Sequence, residues 1–207
     1  MNNAEPLYCE KPKAMEFAKG YLDYLTRLLA EINLASVEAF IQVLLEARER
    51  GARVFFIGNG GSAATASHFA NDMSIGSRAW NKPFRAVSLT DNVAILTAIG
   101  NDYGYDEIFT RQLQTQMKSG DVVVAISASG NSPNVVKAIE YANVRGAITV
   151  ALTGFDGGKL RKMAGLGIHV TTNKGEYGPT EDVHLILNHL VGAFLMAISC
   201  GESERKL

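Results

Sequence analysis

Short apolar segments alternate with helical patterns over most of this 207-residue chain. The first apolar segment runs into glycines and then into an alanine-rich helical stretch, and the same succession repeats along the chain. The pattern predicts five strands, at residues 53–57, 84–89, 121–126, 147–152 and 168–171. Strands that are apolar throughout, each followed by a helix, indicate a parallel sheet covered on both faces. The sequence therefore predicts an α/β fold with a doubly wound, five-stranded parallel sheet.

Helical spacing of apolar residues also precedes the first strand, over residues 12–51, and predicts two amphipathic helices that separate near 33–36. These helices either cover one face of the sheet or pair with another subunit. The later helices are predicted at 63–74, 91–99, 107–117, 134–144, 159–164 and 181–198, with a turn at 100–104. We expect one structural domain, in which residues 1–52 serve packing and oligomerisation and residues 53–207 form the α/β domain.

Two loops rich in glycine and serine follow the first and third predicted strands. They are Gly58-Asn59-Gly60-Gly61-Ser62 and Ser127-Ala128-Ser129-Gly130-Asn131-Ser132. In a doubly wound sheet of strand order 2-1-3-4-5, these two strands are neighbours where the order reverses, and ligands bind beyond their carboxyl ends. The two loops are therefore predicted to lie at one binding site.

The 127–132 loop has the composition of an anion site. Its hydroxyls, its amide and its backbone N–H groups precede a helix, and the N-terminus of a helix favours negative charge. A phosphate could bind there without a lysine. The chain has no GxxxxGK[ST] sequence, so hydrolysis of nucleotide triphosphates is not predicted. The alternative is that both loops are ordinary turns in which serine caps a helix.

Two of the predicted helices carry a histidine and a carboxylate. His68 and Asp72 are four residues apart and so share a helix face, although His68 could equally be a buried, hydrogen-bonded histidine. On the final helix, Glu181 and His189 are eight residues apart, which is about 12 Å along a regular helix. That separation is too large for one chain to bring both to one reacting carbon or one metal. If both serve one site, two chains must build it.

The net charge of the chain indicates which partners to expect, and its cysteine content indicates which compartment to expect. A formal net charge of −1 gives no field that would gather nucleic acid or an anionic membrane, so neither is expected as a partner. Cys9 and Cys200 form no CxxC pair, which is typical of a reduced, cytoplasmic protein. The N-terminus lacks the pattern of a signal peptide, and no apolar run reaches the roughly 20 residues of a membrane helix.

The motifs together resemble those of the sugar isomerase (SIS) domain proteins, and within them of the sedoheptulose 7-phosphate isomerases, also called phosphoheptose isomerases. The likeness covers nearly the whole chain and is carried by FIGNGGSAATASHFANDM, AIGNDYGYDEIFTRQL, AISASGNSPNVVKAIEYA, VALTGFDGGKL and EDVHLILNH. It implies an isomerase without an organic cofactor that converts sedoheptulose 7-phosphate into D-glycero-D-manno-heptose 7-phosphate for lipopolysaccharide or other surface glycans. It also implies a homotetramer with shared active sites and, in some members, bound zinc.

Carried over by motif, the resemblance implies roles for residues in both loops and in two helices. The sugar would contact Asn59, Gly60, Gly61, Ser62, Asn101 and Asp102. The phosphate would be held by Ser127, Ala128, Ser129 and Ser132. Zinc would be held by His68, Asp72, Glu181 and His189. Asp72 would act as the base, with His189 as its acid–base partner across a subunit interface.

The chain departs from the typical heptose isomerase at three of these positions. Asp72 stands where glutamate is typical, Glu181 where glutamine is typical, and Gly76 where arginine is typical. An aspartate can still take a proton, and Glu181 would either favour a divalent metal by its charge or act as the base itself. Asp72 and Glu181 are therefore both candidates to remove the proton beside the sugar carbonyl, through an enediol.

Two other functions remain open at this point. Some relatives in the family resemble regulators that bind the replication initiator, and these tend to lack the histidine late in the last helix, so His189 favours an enzyme. The departures from the typical motif also leave open an isomerase or a sensor for another phosphosugar.

Overall fold

The structure, a computed structural model, describes residues 13–204 of the chain. The expectations for residues 1–12, including Cys9 and the absence of a signal peptide, lie outside these residues. The strands are β1 (Arg53–Gly58), β2 (Arg85–Ser88), β3 (Val122–Ser127), β4 (Ile148–Thr153) and β5 (Leu166–His169). The helices are α1 (Ala14–Ala30), α2 (Leu34–Arg50), α3 (Gly61–Asn71), α4 (Val93–Tyr103), α5 (Thr110–Gln116), α6 (Pro133–Val144), α7 (Leu160–Met163) and α8 (Tyr177–Glu204).

The five strands form one parallel sheet in the order β2-β1-β3-β4-β5, which confirms the predicted topology. β1 and β3 are neighbours at the reversal of strand order, with Val54 paired with Val122 and Gly58 with Ile126. The residues that follow these two strands consequently emerge side by side at the carboxyl edge of the sheet.

Alternate residues of each strand enter two separate hydrophobic cores, one on each face of the sheet. Val54 and Phe56 point to the face covered by α1, α2, α3 and α8, where Phe40 of α2 packs edge-on against Phe69 of α3. Phe55 and Ile57 point to the opposite face, which α5, α6 and α7 cover. The central strands β1, β3 and β4 are buried on both faces and are apolar at most positions, whereas the edge strands β2 and β5 are partly exposed.

Hydrogen bonds join the N-terminal helix to the last helix. Tyr21 donates its hydroxyl hydrogen to Asp182 at 2.6 Å, and Tyr24 donates to Glu176 at 2.7 Å. Burial and the hydrogen bond to Asp182 raise the pKa of Tyr21. In this chain α1 and α2 therefore cover the sheet, which was one of the two predicted roles for this segment.

Element boundaries differ from the prediction where glycine, asparagine or proline occurs inside a helix. The predicted turn at 100–104 is wrong over most of its length, because α4 continues through Tyr103 and the chain turns at Gly104, whose φ is +91°. α8 begins at Tyr177, four residues before the predicted start at Glu181. Pro179 is accepted in its first turn, because the missing N–H of proline would have no partner there in any case.

The end of α3 and the position of β5 also differ from the prediction. The predicted helix 63–74 ends as an α-helix at Asn71 and continues as a π-helical turn over Asp72–Gly76. β5 pairs with β4 over Leu166–His169, two residues earlier than the predicted 168–171, since Leu166 is already paired with Val150.

Among residues 13–204, one helix is long and apolar enough to cross a membrane by length and composition alone, where no such run was expected from the sequence. It is the stretch Tyr177–Gly201 of α8. Its residues Val183, Leu187, Val191 and Leu195 are buried against the sheet, so one apolar stripe is explained by the core. Leu190, Phe194 and Met196 form part of a second, exposed set. A core helix with such a second apolar stripe has the same composition as a membrane span.

Candidate active site

The two glycine- and serine-rich loops meet at the carboxyl edge of β1 and β3, as predicted. They line a pocket of roughly 100 Å³, together with two residues from the first turns of α8. The lining residues are Asn59, Ser62, Ile126, Ser127, Ala128, Ser129, Ser132, Tyr177 and Glu181. We call this space the serine pocket.

Hydrogen bonds and close packing fix the shape of the 127–132 loop. The Ser127 hydroxyl accepts the N–H of Gly130 at 3.2 Å, and Asn131 accepts the N–H of Lys159 at 3.1 Å. Gly130 has a φ of +62°, and a Cβ at this position would clash with the carbonyl of Gly157. The loop therefore requires glycine at 130 both for its backbone conformation and for the close approach of the 154–158 segment.

Ser132 differs from an ordinary helix-capping serine. It is the residue before α6, yet its side chain makes no capping hydrogen bond. The first N–H groups of a helix lack intrahelical partners, and the positive end of the helix dipole lies there. Ser132 thus leaves its hydroxyl and the start of α6 available to an anion in the serine pocket.

A pair of asparagines joins the two loops. Asn59 and Asn134 each donate from Nδ2 to the Oδ1 of the other at 2.9 Å, and the Tyr105 hydroxyl also donates to Asn59 at 2.9 Å. Asn134 is buried. The sequence analysis identified Asn59 but missed Asn134 and Tyr105, because nothing in their spacing shows that they contact the first loop.

Glu181 lies against the start of α3. A Cβ on Gly61 would clash with the Glu181 carboxylate, so only glycine at 61 allows this approach. Partial burial, and then the charge of Asp182, raise the pKa of Glu181. The serine pocket therefore has a carboxyl group on its wall that takes up a proton more readily than a surface glutamate does.

His68, Asp72 and His189 form a second group within the same chain. His68 Nε2 lies 3.3 Å from Asp72 Oδ2, and the His68 and His189 rings are 4.9 Å apart between centroids. One ligand atom from each of the three residues lies within 4.8 Å of the others. We call these residues the imidazole–carboxylate group. Two imidazoles and one carboxylate are a donor set that suits Zn²⁺ and leaves a fourth position for substrate or water.

Asn188 orients the aspartate of this group. It is fully buried and donates from Nδ2 to Asp72 Oδ2 at 2.9 Å. Its own Oδ1 has no partner within the described part of the chain. The sequence analysis missed Asn188, although it lies four residues after His184 and directly before His189.

The serine pocket lies at the start of α3 and of α8, and the imidazole–carboxylate group lies at the end of α3 and beside the middle of α8. Glu181 meets Gly61 at the start of α3, and Asp72 meets Gly192 eleven residues further along both helices. Glu181 is therefore not part of the imidazole–carboxylate group of its own chain, as its distance from His189 along the helix required. The expectation that His189 approaches Asp72 only from another subunit is corrected, because His189 already lies beside His68 in this chain.

Asn101 and Asp102 are not among the residues that line the serine pocket. They lie exposed near the end of α4, where Asn101 donates to Asp102 at 2.8 Å. Their predicted contact with the sugar stays a prediction. Tyr177, which the sequence analysis missed, does line the pocket and packs edge-on against Phe155 with ring centroids 5.1 Å apart.

Comparison with known proteins agrees with this architecture. Residues 17–154 match the SIS domain family. The phosphoheptose isomerase of Citrifermentans bemidjiense is 39% identical over 173 residues, which cover 84% of this chain and 88% of that protein. The phosphoheptose isomerase of Geobacter metallireducens is 43% identical over 155 residues, which cover 75% of this chain and 81% of that protein.

A solved structure extends the similarity to three dimensions. The phosphoheptose isomerase of Neisseria gonorrhoeae is 32% identical, has a TM-score of 0.80, and is matched over 89% of this chain and 100% of its own. The family match begins in α1 and ends just after β4, so it includes both loops of the serine pocket and the His68–Asp72 pair. On this evidence the chain belongs to the SIS domain family.

Proposed function

We propose that this chain is a phosphoheptose isomerase that interconverts sedoheptulose 7-phosphate and D-glycero-D-manno-heptose 7-phosphate for surface glycan synthesis. The relatives with 39% and 43% identity carry that name. The serine pocket is the observation that carries the proposal. It brings the three serine hydroxyls of the 127–132 loop together with the start of α6 in one small space, which are groups that bind a phosphate.

In this proposal the phosphate of the substrate binds to Ser127, Ser129 and Ser132. The Ser132 hydroxyl, which makes no capping hydrogen bond, and the positive end of the α6 dipole support this placement. The sugar hydroxyls then meet the Asn59 loop, whose position is fixed by Asn134. Neutral donors hold the phosphate here, so Glu181 favours phosphate binding most when it is protonated.

The reacting carbons of a heptose 7-phosphate lie at the opposite end of the sugar from the phosphate. We propose that Asp72 removes the proton beside the carbonyl and that His189 moves a proton between the two oxygens of the resulting enediol. The proton then returns to the adjacent carbon, which converts ketose into aldose. The fixed orientation of Asp72 by buried Asn188 supports its role as the base.

The imidazole–carboxylate group suits zinc through His68, Asp72 and His189. Bound Zn²⁺ would polarise the oxygens on the two reacting carbons as a Lewis acid. Glu181 lies in the serine pocket and not with these three residues, so its role as a fourth ligand stays a prediction from the sequence. No organic cofactor is needed for a proton transfer of this kind.

We further propose that the protein works in the cytoplasm as a homo-oligomer, a tetramer, with active sites shared between chains. Leu190, Ala193, Phe194 and Ala197 follow helical spacing along the exposed side of α8, next to His189. An exposed apolar stripe of this kind is typical of a protein interface. Residues 1–52 would add to that packing. In such an assembly the serine pocket of one chain faces the imidazole–carboxylate group of another.

The direct test is proton exchange in deuterated water. We expect the protein, incubated with sedoheptulose 7-phosphate, to incorporate deuterium beside the carbonyl, as followed by NMR, and to form the aldose product. Asp72→Asn should lower the exchange rate by at least about a hundredfold, as is typical for loss of a general base. Parallel reactions with added zinc and with a chelator measure the metal requirement. An intact oligomer that exchanges no proton on this sugar would disprove the assignment.

A further inference from the structure

A cavity of roughly 310 Å³ opens at the amino ends of β1, β2 and β3. This edge of the sheet is opposite the edge that carries the serine pocket, because all five strands are parallel. The volume lies within the range typical of small-molecule sites in proteins. We call this space the basal cavity. Neither the proposed isomerase reaction nor the relatives' names account for it.

The lining of the basal cavity is strongly cationic. Arg50, Arg53, Arg85 and Lys118 all line it, against a single carboxylate, that of Asp121. Both oxygens of Asp121 are already engaged, because they accept the backbone N–H groups of Arg53 and Lys118 at 2.8 Å each. Its charge offsets only part of the positive charge around it.

Backbone carbonyls, and not acidic side chains, hold the arginines in place. Arg53 donates to the carbonyl of Gln116 at 3.3 Å, and Arg85 donates to the carbonyl of Gly51 at 3.2 Å. Each of these bonds uses one of the five N–H donors of a guanidinium. Within the described part of the chain, Arg53, Arg85 and Lys118 form no salt bridge, and Arg50 has only Glu46 of its own helix at 3.8 Å. Most of the donors that face the cavity are therefore unused.

We propose that the basal cavity binds a small phosphate-bearing molecule through Arg53, Arg85 and Lys118. Guanidinium groups match the geometry of phosphate oxygens, and their fixed positions reduce the entropy lost on binding. The excess of positive over negative groups favours a ligand with two or more negative charges. A phosphate ester or a diphosphate meets this requirement, whereas a single carboxylate does not.

Calorimetric titration of the full chain with inorganic pyrophosphate tests the proposal. The titration is run on a Ser129→Ala/Ser132→Ala background, so that binding in the serine pocket is removed. We expect one equivalent of pyrophosphate still to bind per chain. Adding Arg85→Gln and Lys118→Gln, both exposed positions, should weaken that binding at least about tenfold, since the ligand loses two charged hydrogen-bond partners.

A matched variant separates a local site from the overall charge of the protein. Arg145→Gln/Lys162→Gln removes the same charge from two exposed positions outside the basal cavity and should leave the affinity within about twofold. Equal weakening by the two double variants, or no binding on the serine-deficient background, would overturn the proposal. Circular dichroism confirms that each variant is folded.

Two further titrations identify the source of the phosphate group. Inorganic phosphate and ADP are compared with pyrophosphate on the same background. Similar affinity for pyrophosphate and ADP, both lost in Arg85→Gln/Lys118→Gln, supports recognition of the diphosphate alone. Tighter binding of ADP, lost in the same variant, supports a nucleotide ligand of this cavity. Because these probes are not substrates of an isomerase, the outcome does not depend on the proposed reaction.

Discussion

Glu181 places a titrating group next to the proposed phosphate site, and its raised pKa gives substrate binding a particular pH dependence. Below the pKa the neutral carboxyl can donate a hydrogen bond, whereas above it the carboxylate repels a phosphate dianion. We expect KM for the phosphosugar to rise several-fold as the pH increases through this range. Glu181→Gln keeps a neutral donor at the position and should remove that part of the increase. Initial-rate measurements over a pH series that starts at the ordinary glutamate pKa of 4.5 compare the two proteins.

A comparison of Glu181→Gln with Asp72→Asn decides which carboxylate is the base. If Asp72 is the base, Asp72→Asn lowers kcat at every pH, while Glu181→Gln changes mainly KM. A large loss of kcat in Glu181→Gln, together with a nearly normal kcat in Asp72→Asn, would transfer the role to Glu181. Ionisation of the substrate phosphate affects both variants equally and cancels in the comparison.

His184 makes stability depend on pH. Its side chain is fully buried, and burial lowers its pKa to about 4. The unfolded chain, with an ordinary histidine pKa, therefore binds a proton between about pH 6.5 and 4 that the folded chain does not bind. The free energy of unfolding should not depend on His184 above about pH 6.5, and it should fall by about 2 kcal/mol as the pH is lowered to 5.

Urea denaturation at pH 7 and pH 5 measures this difference. His184→Gln removes the titration and should reduce the difference between the two pH values, whatever its effect on absolute stability. The lowered pKa of half-buried His169 acts in the same direction, so some pH dependence should remain in the variant. An unchanged pH dependence in His184→Gln would contradict the expectation.

At the scale of elements, the 127–132 loop is held by the approach of the 154–158 segment at Gly130. Gly130→Ala should cost about 1–3 kcal/mol of stability, since alanine meets both an unfavourable φ and the Gly157 carbonyl. Displacement of the loop should also raise KM for the phosphosugar at least about tenfold, through the loss of roughly 1.4 kcal/mol of binding.

Gly51→Ala is the matched control for this substitution. Gly51 has a φ of +64°, close to that of Gly130, but a Cβ there meets nothing within 4 Å. It should therefore cost only the backbone strain, about 1 kcal/mol, and leave KM unchanged. Equal effects of the two substitutions on KM would show that the contact with Gly157 does not shape the loop.

The sheet and its strand order were predictable because the pattern of an apolar strand followed by a helix is local in sequence and recurs in every unit of the fold. Each strand contains apolar residues, most fully in β1, β3 and β4, and each is followed by a helix, so an error of two residues in β5 leaves the topology unchanged. α4 and α8 were less predictable. Gly100 and Pro179 are turn signals in isolation, but Gly100 lies within the last turn of α4 and Pro179 within the first turn of α8, where both are tolerated.

The serine pocket was predictable from topology, because the ends of neighbouring parallel strands must meet. Asn134 and Tyr177 were not, since their roles depend on contacts between segments that are far apart in sequence. The role of Asn188 could not be predicted for the same reason, because its partner Asp72 is 116 residues earlier in the sequence. The grouping of His189 with His68 required knowledge that α3 and α8 run in the same direction.

At the scale of the whole molecule, the exposed stripe of α8 makes a prediction about assembly. Phe194→Glu places a charge in the proposed interface and should reduce the mass in solution, measured by light scattering, and the isomerase activity with it. Val144→Glu changes another exposed apolar residue, at the end of α6, and should alter neither. A normal oligomer in Phe194→Glu would exclude this stripe from the interface.

Mixed oligomers test whether the active site is shared. Ser129→Ala/Ser132→Ala should inactivate the serine pocket, and His189→Ala should inactivate the imidazole–carboxylate group. If the two parts of a site come from different chains, subunits of the two inactive variants, unfolded and refolded together, should regain a measurable fraction of the activity. Absence of recovery in a verified mixed oligomer would place each site within one chain.

The hydrogen bonds from Tyr21 to Asp182 and from Tyr24 to Glu176 also bear on the order in which the parts of the fold can form during synthesis. Synthesis begins at the N-terminus, so α1 leaves the ribosome long before its partners Glu176 and Asp182 exist. Tyr177 and Glu181, the last residues of the serine pocket to be made, are in the same late segment. A nascent chain that has folded its entire sheet therefore still lacks a wall of its pocket. The tyrosines of α1 reach their acceptors, and the pocket gains this wall, only after residues 176–182 have been made.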